Sequence, residues 1–417
     1  MSADASHKTR SLWLVGALHG FTHVYHVALM PLYLLIQHDF KFTGVGQATS
    51  LVTIMMVSYF LPSYAMGVLA DRVNRKKLLG FGLLINALGF MGLAFAQNYV
   101  AAAAAMIICG VGGSFFHPAA TAMIARLFPV GTGRALGLAG IGASVGFFAG
   151  PIYTGWRASH LVATLGYAAW RPPVMELGLF GIVGAILFFI LADDDKPRRQ
   201  ERDATLPAES LFPTRLLWLL FLTAAFAFSL RDFAGAGMGS LGSLYLQKAH
   251  DYGVGAAGLT LSWMFLPSAL SNPLFGHLSD RGRKRWVTAV MLISAVLVAI
   301  FPHAPVRWAI PLFLMYGFFF MSNYPMVEAE LMQSVPDAVR GRVFGLFITV
   351  GGLLGNLSHW IVGVAVRRMG EASHQPSSYF GLYGAMAGMI VVSLLGLACL
   401  NAIRKREHLD RKGLASP

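Results

Sequence analysis

Apolar runs of about 20 residues recur along the whole chain, each long enough to cross a hydrocarbon core of roughly 30 Å. Lipid gives a backbone no hydrogen-bond partner, so continuous runs of this kind are expected to be helices. Twelve are delimited, at 11–36, 46–70, 77–97, 100–127, 133–156, 174–192, 213–247, 255–279, 285–302, 306–333, 341–366 and 378–403. The polar stretches between them are short except for 193–212, which begins Asp193-Asp194-Asp195-Lys196-Pro197-Arg198-Arg199. The expected architecture is an all-α membrane protein of twelve transmembrane helices. A bundle of six at 1–192 is joined by a cytoplasmic linker at 193–212 to a second bundle of six at 213–417, which ends in a basic tail at Arg404-Lys405-Arg406.

The two bundles are expected to be pseudo-symmetric because a loop repeats. Gly67-Val-Leu-Ala-Asp71-Arg72-Val-Asn-Arg75-Lys76-Lys77 returns in outline as Gly276-His-Leu-Ser-Asp280-Arg281-Gly282-Arg283-Lys284-Arg285. The offset is 209 residues, half of the 417-residue length, and each copy lies between two apolar runs.

Hydrophobic residues make up 56% of the chain and charged residues 12%, too little charge to cover a soluble protein of this size. The net charge of +13 does not point to nucleic acid, because the charge sits on one side. With the N-terminus inside, inner segments hold 24 of the 32 Lys and Arg. The outer loops hold Lys41, Arg157, Arg171, Lys248, Arg307, Arg367 and Arg368, and Arg231 falls within a span. That bias places both termini in the cytoplasm of a multi-pass protein, expected in a bacterial inner (plasma) membrane and facing anionic lipid. The first run extends past a signal-peptide core without a cleavage pattern and reads as a retained span. Cys109 and Cys399 both fall inside spans and suggest no disulfide framework. The outer loop near 157–173, with Trp156, Trp170, Pro172 and Pro173, fits an interfacial aromatic anchor and a helix start. No phosphate-binding glycine loop or nucleophile elbow occurs, so neither an enzyme nor an ATP-driven pump is expected.

Twelve spans with this loop in both halves resemble the major facilitator superfamily over essentially the whole length. The resemblance implies that Asp71 caps a neighbouring helix and pairs with Arg72 and Arg75, a latch between the halves in the outward-facing state. Asp280, Arg281 and Arg283 would form the second latch. In the fifth span, Gly137, Gly146, Gly150-Pro151 and Gly155 resemble the antiporter motif of drug–proton exporters, with Thr154 in place of one glycine. Small residues at this spacing equally suit ordinary close packing. Gly110-Val-Gly-Gly-Ser-Phe-Phe-His117-Pro118 is similar to a segment of fosmidomycin-resistance-type transporters. His23 stands where that branch tends to carry an acid, and Met106 where many antiporters carry a base.

Ionisable groups inside spans are costly and are candidates for function. His19, His23 and His26 fall within roughly 60° of one helix face. Three imidazoles there can bind substrate, relay protons, bond to neighbouring helices or bind a metal. No carboxylate or thiolate joins the stripe, so metal is the least favoured, and no cofactor is expected. His117 either lines the cavity or satisfies carbonyl groups freed by Pro118. Arg231 beside Asp232 is either an anion site or a permanent brace. Gly235, Gly237, Gly239 and Gly242 beyond it would let the span bend as a gate. Asn323 completes the substrate candidates, while Asp232 and Glu328 are the candidates for carrying a proton.

The expected function is secondary active transport by alternating access, with a small-molecule substrate and protons as partners in the lipid bilayer and a single chain as the working unit. Proton-coupled export of a small drug-like molecule, with anions among the candidates, is the first reading. The rivals are an uptake symporter or facilitator for an organic anion or other metabolite, and a non-transporting membrane sensor on the same fold.

Overall fold

The structure, a computed structural model, describes residues 3–70, 72–129, 132–195, 211–279, 281–336 and 339–413. Asp71 and Asp280 of the repeated loop, and 196–210 of the expected linker, lie outside the described residues. Among the described residues the chain is all-α, and nine segments are long and apolar enough to cross a membrane.

Proline and small polar caps decide where the helices break. Helices α1 (Ala3–Val27) and α2 (Tyr33–Asp39) are separated by a short turn containing Pro31, whose missing N–H cannot continue the ladder. Helices α3 (Val45–Phe60) and α4 (Ser63–Ala70) part around Pro62. The side chain of Asn74 accepts from the Lys76 N–H to start α5 (Arg75–Phe95), and Asn98 does the same for α6 (Tyr99–Ser114). After Phe115 comes α7 (Phe116–Leu127), and then α8 (Thr132–Leu165), which runs 34 residues through Pro151. No breaker interrupts α8 until Gly166, whose φ of +56° turns the chain into α9 (Arg171–Leu191).

Thr214 caps α10 (Arg215–Leu244), which closes in a π-helical turn at Tyr245–Ala249. Pro267 lies between α11 (Val254–Ser262) and α12 (Ser268–Ser279). Then come α13 (Arg283–Ile300), α14 (Ala309–Gln333), α15 (Arg340–Met369), α16 (Phe380–Val392) and α17 (Leu395–Gly413).

The expected outer loop at 157–173 is therefore mostly helical. Trp156 is exposed as an interfacial anchor should be, but Trp170 is fully buried. Its indole N–H donates to Asp39 Oδ2 at 2.9 Å, and Arg171 Nε donates to the same oxygen at 2.8 Å. A carboxylate that needs donors has drawn the ring inward.

Glycine sets how closely helices approach. Helix α1 packs along α8, and a Cβ at Gly146 would strike the backbone of Gly20. A Cβ at Gly150 would come within 3.0 Å of the Val24 carbonyl oxygen. Thr154, which replaces a motif glycine, donates to the Ala28 carbonyl at 2.7 Å and ties α8 to the end of α1. Among the described residues, the most extensive contacts between the chain before 195 and the chain after 211 are α3 against α15 and α8 against α11. At these contacts a Cβ on Gly155 would lie 2.7 Å from the Val254 carbonyl, and Thr53 donates to the Asn356 carbonyl at 2.9 Å. Nearer the repeated basic loops, α8, α12 and α15 are looser. A Cβ at Gly137, Gly140, Gly276, Gly341 or Gly345 would meet nothing within 4 Å.

At that looser end, two ion clusters brace the helices. Arg75, the first residue of α5, meets Asp195 Oδ2 at 3.3 Å and donates to the Ala70 carbonyl at 3.2 Å. Arg126 at the end of α7 holds the other oxygen of Asp195. In the second portion Arg283, the first residue of α13, lies 4.0 Å from Glu330, which also meets Arg404 at 3.3 Å. Arg283 donates to Gln333 at 2.7 Å as well. The clusters use matching positions, with acid and base exchanged. The acid follows α9 in the first and sits on α14 in the second. A separate clasp joins the start of α1 to the end of α9, where Arg10 donates to Asp193 Oδ1 at 2.8 Å. Desolvation raises the pKa of the Asp193 carboxyl, but hydrogen bonds from Arg10 and His7 outweigh it and hold it below its ordinary value. A depressed carboxyl loses its contribution only as pH falls through the folded pKa, so this clasp is intact at neutral pH.

Two predictions follow from packing and charge. Gly146→Leu should cost about 1–3 kcal/mol through overpacking, read as a lower melting temperature in detergent, while Gly137→Ala should not move it. Asp195→Ala strands the buried Arg75 and should cost about 3–5 kcal/mol. An unchanged melting temperature for Asp195→Ala would contradict the bracing role.

Candidate functional site

The four histidines singled out in the sequence come together. His19, His23 and His26 stack along α1, and His117 reaches them from the first turn of α7, with ring centroids 5.2 Å from His19 and 5.7 Å from His23. His26 is buried, His19 and His23 are half-buried, and His117 is exposed to open space among the helices. Phe116 stacks on His19 at 4.7 Å, and Phe147 lies 4.3 Å from His23. Phe147 in turn stacks on Phe265 at 5.1 Å, which carries the cluster to the second portion of the chain.

The hydrogen bonds give this row a direction. His19 Nδ1 lies 3.0 Å from the Ala139 carbonyl oxygen, which can only accept, so Nδ1 carries the proton. A neutral His19 then accepts at Nε2, and His23 Nε2, 3.0 Å away, donates. His23 Nδ1 is left to accept from His26 Nδ1 at 3.1 Å. The row ends at His26 Nε2, a bare acceptor that is buried and has no partner among the described residues. Tyr59 packs edge-on against His26 at 4.9 Å, and its hydroxyl is also unpartnered.

The second constellation sits on α10 and α14. Arg231, 2% exposed, donates from Nε to Asp232 Oδ1 at 3.0 Å and from Nη2 to the same oxygen at 2.8 Å. Its Nη1 donates to Asn323 Oδ1 at 2.8 Å, and Asn323 donates onward to the Phe320 carbonyl. The guanidinium lies 4.5 Å from the centre of the Tyr324 ring and 5.1 Å from that of Phe228. The planar cation is thus held on three sides by a carboxylate, an amide and an aromatic face. Glu328, one turn further along α14, lies within electrostatic reach of Arg231 and Asp232. Asp232 is wedged against the glycine face of α15, where a Cβ at Gly351 would lie 2.6 Å from its Oδ2.

The two constellations are linked through Phe60 and Tyr59, which the sequence did not single out. Phe60 packs on Gly352 beside the Asp232 site and lies 5.1 Å from Tyr59, which touches His26. Separately, the Tyr33 hydroxyl on α2 meets Ser240 on α10 at 2.9 Å, and Ser240 meets His359 Nδ1 on α15 at 2.7 Å, which ties the two portions of the chain together. Ser240 carried no signal, being a small polar residue in an apolar helix. The expected gate glycines of α10 serve close packing: Gly235 receives Phe320, Gly237 receives Met386 and Gly239 receives Met30. Arg75 and Arg283 lie in the ion clusters of the fold, where the acids they meet, Asp195 and Glu330, belong to the same portion of the chain. Arg72 and Arg281 are exposed beside the undescribed acids. Asp195, the acid that Arg75 meets, was hidden in the run of three aspartates.

Comparison with known proteins gives the family. The profile of the Major Facilitator Superfamily matches residues 12–359. The chain is 27% identical over 372 residues to the multidrug resistance efflux pump PmrA of Streptococcus pneumoniae, covering 84% of this chain and 87% of the relative. It is 23% identical over 370 residues to the fosmidomycin resistance protein of Escherichia coli, covering 87% and 88%. The quinolone resistance protein NorA of Staphylococcus aureus is 21% identical over 375 residues, covering 88% and 90%. Among solved structures, a bacterial homologue of the human lysosomal transporter Spinster, inward-facing and unoccupied, superposes with a TM-score of 0.76 at 15% identity, covering 96% of this chain and 97% of that one. The profile match spans most of the length and the fold agrees, so this chain belongs to the Major Facilitator Superfamily and is a multi-pass membrane transporter of the secondary, alternating-access type, not an enzyme.

Proposed function

We propose that this transporter exports a small drug-like molecule in exchange for protons. It would act as a single chain of twelve crossings in a bacterial inner membrane, with both termini cytoplasmic. The twelve crossings are supported by the turn at Gly166, which folds the 58-residue apolar segment Arg134–Leu191 back on itself, and by α1–α2 and α11–α12, which pack alongside the nine apolar segments. The division into bundles at 1–192 and 213–417 is supported by the repeated loop and by the matching ion clusters. Orientation rests on the one-sided distribution of Lys and Arg. Direction rests on relatives whose names describe efflux or drug resistance.

The observation that carries the reading is the buried Arg231 with Asp232, Asn323 and Glu328 around it, in helices that otherwise offer lipid an apolar face. Exchange requires that proton and cargo exclude one another. Glu328 is the group where that exclusion would act, because a cargo donor and a proton compete for the same carboxylate. The histidine row opens to the same interior at His117 and would line the cargo's path.

The Arg231–Asp232 pair favours a second reading if the cargo is an anion. An anion that takes the guanidinium releases Asp232, and a released, buried carboxylate binds a proton. Anion and proton then bind together, which is symport rather than exchange.

Proton flux in proteoliposomes of purified protein, with a dye sealed inside and a panel of cationic and anionic compounds, separates the two. Export by exchange predicts proton movement opposite to the compound and its loss in Glu328→Gln. Symport predicts movement in the same direction and its loss in Asp232→Asn. Arg231→Lys keeps the charge but loses the fork, and should lower transport about tenfold or more. If His23→Ala and Arg231→Ala both left transport kinetics unchanged, the proposed pathway would be wrong.

A further inference from the structure

The histidine cluster has a geometry that cargo binding does not require. His19 Nε2 and His23 Nε2 face each other at 3.0 Å. One nitrogen of His117 joins them, and all three potential ligand atoms lie within 4.8 Å of one another. Nitrogens bound to one tetrahedral ion through bonds of about 2.0–2.1 Å sit about 3.4 Å apart, so small side-chain rotations would bring the set to bonding distance. The stripe on α1 lacks a third ligand of this kind, and α7 supplies it through His117.

The outer nitrogen of His19 is already engaged as a metal-bound imidazole needs, and that of His23 faces a partner that can exchange donor and acceptor roles with it. A ligating imidazole donates its other N–H to a fixed acceptor, which sets its tautomer and orientation. His19 Nδ1 donates to the Ala139 carbonyl, leaving Nε2 with its lone pair aimed into the cluster. His23 Nδ1 meets His26 Nδ1 at 3.1 Å, leaving Nε2 as its inward atom. His26, 6% exposed, supplies the second observation: its Nε2 is buried and unpartnered beside the unpartnered Tyr59 hydroxyl.

We propose that His19, His23 and His117 form a binding site for a late first-row divalent cation, with Zn²⁺ and Ni²⁺ as the chemistry best matched. Binding balances without releasing a proton from neutral histidines. His23 shifts its proton from Nε2 to Nδ1 and donates to His26 Nδ1, and His26 shifts its own proton from Nδ1 to Nε2. Each of the three imidazoles on α1 still carries one proton. His117 is exposed, so the fourth coordination position faces open space and can hold water or another ligand. An all-imidazole set selects against Mg²⁺ and Ca²⁺, which require oxygen ligands. The site depends neither on the cargo nor on the direction proposed above.

The test uses the full-length protein with any polyhistidine tag removed, in detergent, titrated with ZnCl₂ and NiCl₂ by calorimetry and with CoCl₂ by visible absorption. The expected result is one ion per chain, a cobalt spectrum of a four-coordinate nitrogen-rich site, and no displacement by MgCl₂. His117→Ala, whose exposed side chain should leave the melting temperature unchanged, should weaken binding about tenfold or more. His160→Ala and His303→Ala, at exposed positions elsewhere, should bind as the natural protein does. Absence of a bound ion in the natural protein would overturn the proposal. So would binding that His117→Ala and His23→Asn both leave intact.

Discussion

A charge inside a lipid-embedded bundle has to be answered by another group of the same protein, and most of the interior follows from that requirement. Arg231 is answered by Asp232, Asn323 and the ring of Tyr324. Asp39 is answered by Trp170 and Arg171, and Glu176 by Arg157 and Tyr153. Removing one partner from such a set leaves the other stranded, so these sets fix which helices lie next to each other. They also mark where a ligand can act, because a cargo able to replace one partner can take its place. Arg231 differs from the others in lying deep within a span and away from either end.

The second constraint is steric. Glycines in the fifth span let α8 approach α1 and α11 backbone to backbone, and the corresponding approach of α3 to α15 uses Gly46, Gly352 and Gly363. The contacts of α8 with α11 and of α3 with α15 close one end of the space between the two portions. At the end carrying the basic loops, glycines of α8, α12 and α15 face open space, and His117 is exposed. The fold thus has one tight end and one loose end, as expected of a transporter captured at one side of its cycle. The ion clusters around Asp195 and Glu330 tie neighbouring segments together within each portion at the loose end.

The sequence made part of this legible. Long apolar runs can hardly be anything but helices in lipid, so the fold class could be read from run length alone. The rare ionisable residues within them, His19, His23, His26, His117, Arg231 and Asp232, needed only to be noticed. What could not be read was which groups meet. His117 is about a hundred residues from the α1 stripe, and only the packing of α7 beside α1 brings it to His19. Asp195 looked like part of a polar linker, yet its carboxylate is buried between Arg75 and Arg126 because α9 ends beside α5. Trp170 looked like an interfacial anchor until Asp39 supplied an acceptor for its indole. Each of these turns on a long-range contact that no local pattern encodes.

The central claim is that the tight and loose ends exchange during transport. Spin labels on a Cys399→Ser background test it by paired distance measurements. One pair, Arg134→Cys with His277→Cys, spans the loose end. The other, Lys41→Cys with Arg368→Cys, spans the tight end. The account predicts that cargo or a change of pH shortens the first distance while lengthening the second, in the same fraction of molecules. Both distances remaining fixed under every condition, or both changing in the same direction, would contradict it.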